Sequence, residues 1–248
     1  QRRYRERLKE QPLKIEKNEI KQILKSKMAD VAEYEAKRVL AAYGIPVTRE
    51  ELAKSAQEAV AIAKKIGYPV AVKVQSGDIS HKTEADAVRL KIQPDAELTA
   101  AYEEVTKNAK AYKRDAKIEG VLVQEMVSDG VEAILGVTND PLFGPAVMFG
   151  LGGIFAEVLK DVSFRLARVT ASVAREMVEE IAGYKVLAGA RGKPPADVDA
   201  LVDAIVRLSA LAVDLKDHVA ELDINPLFVF ARGKGVKAAD ALIKPVTK

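Results

Sequence analysis

From residue 31 onward the apolar positions switch several times between a helical period and strict alternation. Residues 31–43 place Val, Tyr, Ala and Leu at helical spacing and stop at Gly44, with Pro46 just beyond, as helix C-termini do. Thr48 followed three positions on by Glu51 has the form of a capping box, predicting a second helix that runs to Ile66 and is closed by Gly67. After Tyr68-Pro69 the run Val70-Ala71-Val72-Lys73-Val74-Gln75 alternates as a strand, and 86–92 does the same. A helix is expected over 95–112 and a strand over 120–127. Residues 132–137 and 145–149 read as antiparallel strands joined by a turn over 139–144. Beyond Gly150-Leu151-Gly152-Gly153 the pattern predicts strands over 157–160 and 162–169, then helices over 171–181 and 196–215. Strands over 221–227 and 236–243 close the chain. No internal repeat or low-complexity tract interrupts this order.

A chain of 248 residues with 48% hydrophobic content can bury a sizeable core, as one large domain or two small lobes. Its 39 basic and 36 acidic residues nearly cancel, so the charge gives no reason to expect nucleic acid as a partner. The excess is local: residues 1–27 form a basic arm of net +6, leaving −3 for the remainder. Ile15, Ile20, Ile23 and Leu24 could make an apolar stripe on that arm, for docking on a partner or on the body; a frayed, solvated arm is the other reading. The absence of cysteine excludes disulfides, thiolate catalysis and Cys-ligated zinc. No apolar run is long enough to span a membrane and the start lacks a secretory core, so a cytoplasmic protein is expected. Gln1 in place of an initiator methionine suggests trimming or a piece of a longer chain.

Three places carry candidate chemistry. The first is the strand that delivers Lys73, followed by a Ser/Gly/Asp turn and His81-Lys82-Thr83-Glu84: a cation and an ionisable ring brought to one place, or a solvated surface pair. The second is the glycine loop at 150–153, where missing Cβ atoms let backbone N–H groups approach an anionic oxygen, or where a plain hairpin turns. The third is Asp223 and Asn225, two apart and therefore on one strand face. A tight turn at Arg232-Gly233 sets Asn225 opposite Asp240, with Cβ atoms roughly 5 Å apart. Such oxygen ligands could share one Mg²⁺ with nucleotide phosphates; an exposed polar hairpin is the plainer alternative.

Several longer motifs, in order from about Glu33 to Ile243, carry a family resemblance. They are Tyr43-Gly44-Ile45-Pro46, Tyr68 through Lys73, His81 through Glu84, Gln124-Glu125-Met126, Asp140 through Gly144, and Met148 through Gly153. Glu157 through Asp161 with Ser163-Phe164-Arg165, Arg191-Gly192 with Pro194-Pro195, and Leu222 through Leu227 complete the set. In these the chain resembles the ATP-grasp β subunit, or β region, of ADP-forming acetyl-CoA (acyl-CoA) synthetases, relatives of succinyl-CoA synthetase. The resemblance implies an α+β ATP-grasp fold of two lobes, at 28–124 and 125–248, with a nucleotide cleft between them, following the helical arm at 1–27.

It also implies the reaction acyl-CoA + ADP + Pi = acid + CoA + ATP. A CoA-binding α subunit or region carrying a phosphohistidine is the implied partner, in an α2β2 assembly with no nucleic acid and no membrane. By resemblance His81, Glu157 and Arg165 are catalytic, His81 as a second phosphohistidine, a role that suits a nitrogen nucleophile near neutral pH. Lys73 would neutralise the phosphates of ATP or ADP. Gln124, Glu125, Met126 and Val127 would line the adenine hinge, and Gly152, Gly153 and Arg191 belong to the same nucleotide set. Asn225 and Asp240 would hold Mg²⁺, with Asp223 a third contact. The chain departs from the family at Asp86-Ala87, where glycines are usual, at Arg168, commonly proline, and at Asn139, commonly basic. Two other readings are a nucleotide-sensing ATP-grasp module, like that fused to some protein acetyltransferases, and a carboxylate ligase acting alone.

Overall fold

The computed structural model describes residues 20, 22–24, 30–79, 82–153, 156, 158–190, 192 and 194–246. His81, Glu157 and Arg191 lie outside them, as does most of the basic arm. The chain forms two compact units that divide elsewhere than the sequence suggests. The smaller holds residues 32–34 and 48–128; the larger holds the described residues up to Val31, residues 35–47 and everything described from 129 onward. Hydrogen bonding explains the assignment of 35–47. Val31 bridges Ile243, Val47 bridges Ala238, and the Lys37 ammonium donates to the Ala239 carbonyl, so this stretch belongs with strands nearly two hundred residues later.

Helix α1 (Glu33–Ala42) ends as expected before Gly44, which takes a positive φ. The expected capping box at Thr48 does not form. Residues Glu50–Ala53 are strand β1, and α2 (Ala56–Ile66) is capped by Ser55, whose hydroxyl accepts from Glu58 N–H. The Glu58 carboxylate reaches back to Lys54 N–H at 2.7 Å. A second capping signal, Ser55-x-x-Glu58, seven residues later in the chain, therefore wins, because pairing β1 with β4 satisfies the backbone of 50–53.

The small sheet is antiparallel, in the order β1, β4 (Gly120–Glu125), β2 (Val70–Gln75), β3 (Val88–Ile92). Val70, Val72 and Val74 pack with Val121 and Val123 against α2 and α3 (Asp95–Tyr112). That places Ala71, Lys73 and Gln75 on the opposite face.

In the larger unit β5 (Val131–Asp140), β6 (Gly144–Leu151) and β7 (Val162–Leu166) continue a sheet that begins with β10 (Ala241–Pro245) and β8 (Val219–Val229). Strand β9 (Val236–Ala238) pairs with β8 alone. The helices are α4 (Ala171–Glu180), the short α5 (Tyr184–Leu187) and α6 (Val198–Asp214). The expected strand at 157–160 is absent among the described residues, where the chain turns instead; the expected single strand 236–243 is split in two. Helix α6 buries nine residues, among them Leu201, Ile205, Leu208 and Leu211. Each large apolar side chain buried contributes about 1.5–3 kcal/mol, so packing rather than helix propensity holds α6 in place. Of the arm's stripe, Ile20, Ile23 and Leu24 sink into this same core, which favours docking on the body for that part.

Candidate functional site

In the smaller unit the polar face of β2 is built around a buried carboxylate. Glu33, 1% exposed, accepts from the Lys73 ammonium at 2.7 Å through Oε1 and lies 3.1 Å from the Lys82 ammonium through Oε2. Ions this far from water persist only when paired. Gln124 is buried on the neighbouring strand, and its amide donates to the Thr48 hydroxyl at 2.6 Å. The Glu125 carboxylate accepts from both the backbone N–H and the Nε of Arg49, each at 2.8 Å. Met126 N–H points to the Pro69 carbonyl at 3.4 Å, and Val127 follows just past the strand end.

The larger sheet reverses the sign of charge. Leu222 and Ile224 face its core, so Glu221, Asp223 and Asn225 stand on the open face. The register beyond the hairpin is continuous in number. Leu227 pairs with Ala238, and Ile224 with Ala241, which leaves Asn225 opposite Asp240 in the gap between β9 and β10. Ala239 N–H closes that gap on the Pro226 carbonyl at 3.0 Å. Loss of hydration, then the charge of Asp240, pushes the Asp223 carboxyl above its ordinary value. Asp223 also borders a depression of about 450 Å³ over Gly136, Met148, Phe164 and Leu242, rimmed by the Glu221–Lys244 ion pair.

Two carboxylates that disfavour each other's charge, beside an amide oxygen, suit a hard divalent cation. Among the described residues no group of three or more His, Cys, Asp or Glu could hold a metal ion. An ion here would therefore keep positions for water and phosphate oxygens, which is how Mg²⁺ is commonly held with nucleotides.

Known proteins share the sequence and the fold of this chain. Residues 22–244 match the ATP-grasp domain family. The chain is 50% identical over 224 residues to the acetate–CoA ligase [ADP-forming] II subunit beta of Pyrococcus furiosus, covering 90% of this chain and 95% of that one. Among solved structures, acetyl-coenzyme A synthetase 1 of Ca. Korarchaeum cryptofilum with coenzyme A and Ca-AMPCP superimposes with a TM-score of 0.88. It is 40% identical and covers 92% of this chain and 99% of that one. A second structure of that enzyme, with coenzyme A and Mg-AMPPCP, has its phosphohistidine segment pointing towards the nucleotide binding site. Its TM-score is 0.79 at 36% identity, covering 92% of this chain and all of that one.

The chain belongs to the ATP-grasp family, among the β subunits of ADP-forming acid–CoA ligases. Its fold is the expected ATP-grasp fold of helices and antiparallel sheets.

Within this ATP-grasp chain the site residues read from the sequence fall into three groups. Lys73 and Gln124 to Val127 gather on β2, β4 and the segment after it; Asp223, Asn225 and Asp240 gather on the β8 hairpin. Arg165 stands apart. It lies on the helix side of β7, opposite core residue Val147, and its guanidinium forms a fork with Glu180 of α4 at 2.8 and 2.6 Å. Its geometry is that of a strand-to-helix tie. The glycine loop also divides. A Cβ at Gly152 would sit 3.1 Å from Glu132, so that glycine answers a crowded neighbour, whereas Gly153 needs its φ of +63° and faces open space.

The departures from the family pattern have local reasons. Asp86 keeps a glycine-like φ of +48°, which aspartate tolerates, and its carboxylate holds Arg89 at 2.7 and 2.9 Å and Asn108 at 3.0 Å. Arg168 pairs with Asp214, and Asn139 donates to the Lys216 carbonyl. Sequence patterns alone do not single out Glu33 or Gln75, and they place Lys82 in a motif without giving it a partner. Glu33 precedes Lys73 by forty residues, and no spacing rule connects a helix start to a strand that distant.

Proposed function

We propose that this chain is the nucleotide-handling β subunit of an ADP-forming acetyl-CoA (acyl-CoA) synthetase. The observation that carries the proposal is 50% identity over nearly the full length of a named β subunit, in a chain whose phosphate lysine and paired acids stand on defined strand faces. The reaction is acyl-CoA + ADP + Pi = acid + CoA + ATP. Phosphate displaces CoA from the acyl carbon, giving an acyl phosphate on a CoA-binding partner. An imidazole takes the phosphoryl group and releases the acid, and the ADP β-phosphate oxygen then takes it from nitrogen to form ATP.

Phosphoryl transfer asks mainly for positioning and charge neutralisation. Lys73, fixed by Glu33, offers a cation to the phosphates. Gln124 to Val127 border the base, with Glu125 held still by Arg49. Gly153 leaves its backbone open to an anion; Gly152, Glu157 and Arg191 complete the receiving loop on their motifs. Asn225, Asp240 and Asp223 would hold Mg²⁺, which lowers the repulsion between phosphate oxygens when bound. His81 is the second phosphohistidine on its motif, and Arg165 serves by tying β7 to α4.

We place the enzyme in the cytoplasm as an α2β2 assembly; no helix among the described residues is long and apolar enough to cross a membrane. The test combines this chain with its CoA-binding partner, acyl-CoA, phosphate, ADP and Mg²⁺ and follows ATP. ATP formation that needs both subunits is expected. No ATP from any acyl-CoA offered would end the proposal.

A further inference from the structure

Gln75 is 0% exposed, and among the described residues neither its Oε1 nor its Nε2 has a hydrogen-bond partner. A buried amide left unpaired costs on the order of 1–3 kcal/mol, so native proteins seldom keep one without a reason. Its place on the strand suggests the reason. Gln75 is two residues beyond Lys73 on β2, so both side chains leave the same face, with Cα atoms roughly 7 Å apart. The Glu33 carboxylate on that face fixes two ammonium groups at once, those of Lys73 and Lys82. An ammonium carries three N–H donors, and Lys82 meets Glu33 as an ion pair at 3.1 Å. A phosphate oxygen accepts from ammonium and carboxamide donors alike.

We propose that Lys82 and Gln75 join Lys73 in one seat for phosphate oxygens, with Glu33 as the positioning residue that sets both lysines. The inference rests on the nucleotide reading of Lys73 given above and adds three residues to it. No bond is made or broken by these groups. Lys82 and Gln75 donate to the anion, and Glu33 acts only through the lysines. The seat recognises a phosphoryl group, whether the terminal phosphate of ADP or free inorganic phosphate.

The test measures binding of ADP, of adenosine and of inorganic phosphate to the full chain with Mg²⁺, in the wild type, Gln75→Met, Lys82→Met, Glu33→Gln and Lys73→Met. Removing a charge-assisted hydrogen bond to the phosphate is expected to weaken ADP binding about tenfold or more in Gln75→Met and Lys82→Met. Adenosine binding is expected to stay unchanged, a split that general damage to the unit would not give. Gln75→Met should also keep or raise the melting temperature of the ligand-free chain, because it removes the unpaired amide. In complex with the partner subunit, kcat for ATP formation should fall while KM for acyl-CoA stays constant. A parallel loss of phosphate binding supports the seat and identifies free phosphate as a second occupant; phosphate binding that is absent or unaltered while ADP binding falls supports it with the nucleotide as occupant.

Unchanged ADP affinity in both Gln75→Met and Lys82→Met, with Lys73→Met impaired, overturns this inference and leaves the nucleotide reading intact. A wild-type chain that binds no ADP overturns the nucleotide reading itself. Glu33→Gln retains one acceptor oxygen and should fall between wild type and Lys73→Met in ADP affinity; if it fails to fold, the other two variants still decide.

Discussion

The two sheets of this protein treat charge in opposite ways. On the small sheet the polar face is dry: Lys73 is 8% exposed, Gln124 3% and Gln75 not at all. On the large sheet Glu221, Asp223 and Asn225 are exposed. Buried ammonium groups require a carboxylate in contact, and Glu33 supplies it to two of them. Facing carboxylates repel, and the charge of Asp240 adds to the loss of hydration that already raises the Asp223 carboxyl. One unit thus presents ammonium groups already paired by the fold, and the other presents side-chain oxygens on an open strand face.

The strongest way to break this comparison is to remove the organised cation. Lys73→Met should lower ATP formation by the assembled enzyme by roughly 10²–10³-fold, the range for losing one preorganised charge stabiliser in the transition state. Activity near wild type would deny the small sheet its role. Asp240→Asn removes one acid from the other side of the comparison and should raise the Mg²⁺ concentration needed for half-maximal activity by about 10–100-fold. An unaltered Mg²⁺ titration would move the metal elsewhere.

Two smaller effects sharpen the contrast in stability. Each unit holds a tyrosine against an aspartate, Tyr68 on Asp95 at 2.9 Å and Tyr43 on Asp214 at 3.5 Å. In both, burial leads and the carboxylate adds, pushing the phenol to about 12. These phenols stabilise the fold below their ordinary value of 10, and the contribution is lost as pH rises from there through about 12. Tyr68→Phe should cost about 1 kcal/mol in denaturant unfolding at neutral pH, and Tyr43→Phe less, because its bond is longer.

Asp223→Asn has the smallest expected effect and the opposite sign. The folded state raises this carboxyl, so its charge opposes folding as pH climbs through the raised value and does not below the unfolded carboxylate range. The variant should gain a few tenths of a kcal/mol at neutral pH, modest because the face is solvent-screened, and nothing near pH 3. Saturating Mg²⁺ should cancel the gain; a gain that persists under Mg²⁺ would show that Asp223 is no ligand.

Alternation exposed β2, β5, β6 and β8 in the sequence, and helical spacing with its glycine stops exposed α1 and the end of α2. Local rules failed where two equivalent signals competed. Thr48-x-x-Glu51 and Ser55-x-x-Glu58 both have the form of a cap, and only the pairing of β1 with β4 decides between them. The motif that carries Arg165 does not say where its side chain goes; strand parity sets it on the helix side of β7, beside Glu180.

By itself the sequence determined most of the order of the elements, the face on which Lys73 and Asp223 stand, and the hairpin arithmetic that sets Asn225 across from Asp240, because period and register are short-range properties of the backbone. Only the tertiary structure decided that Glu33 clamps Lys73 and Lys82, that Gln75 is sealed from water without a partner among the described residues, and that residues 35–47 join strands from the far end of the chain. Those outcomes depend on which distant segments share a dry interior, and charge pairing and desolvation act on separation in space rather than along the chain.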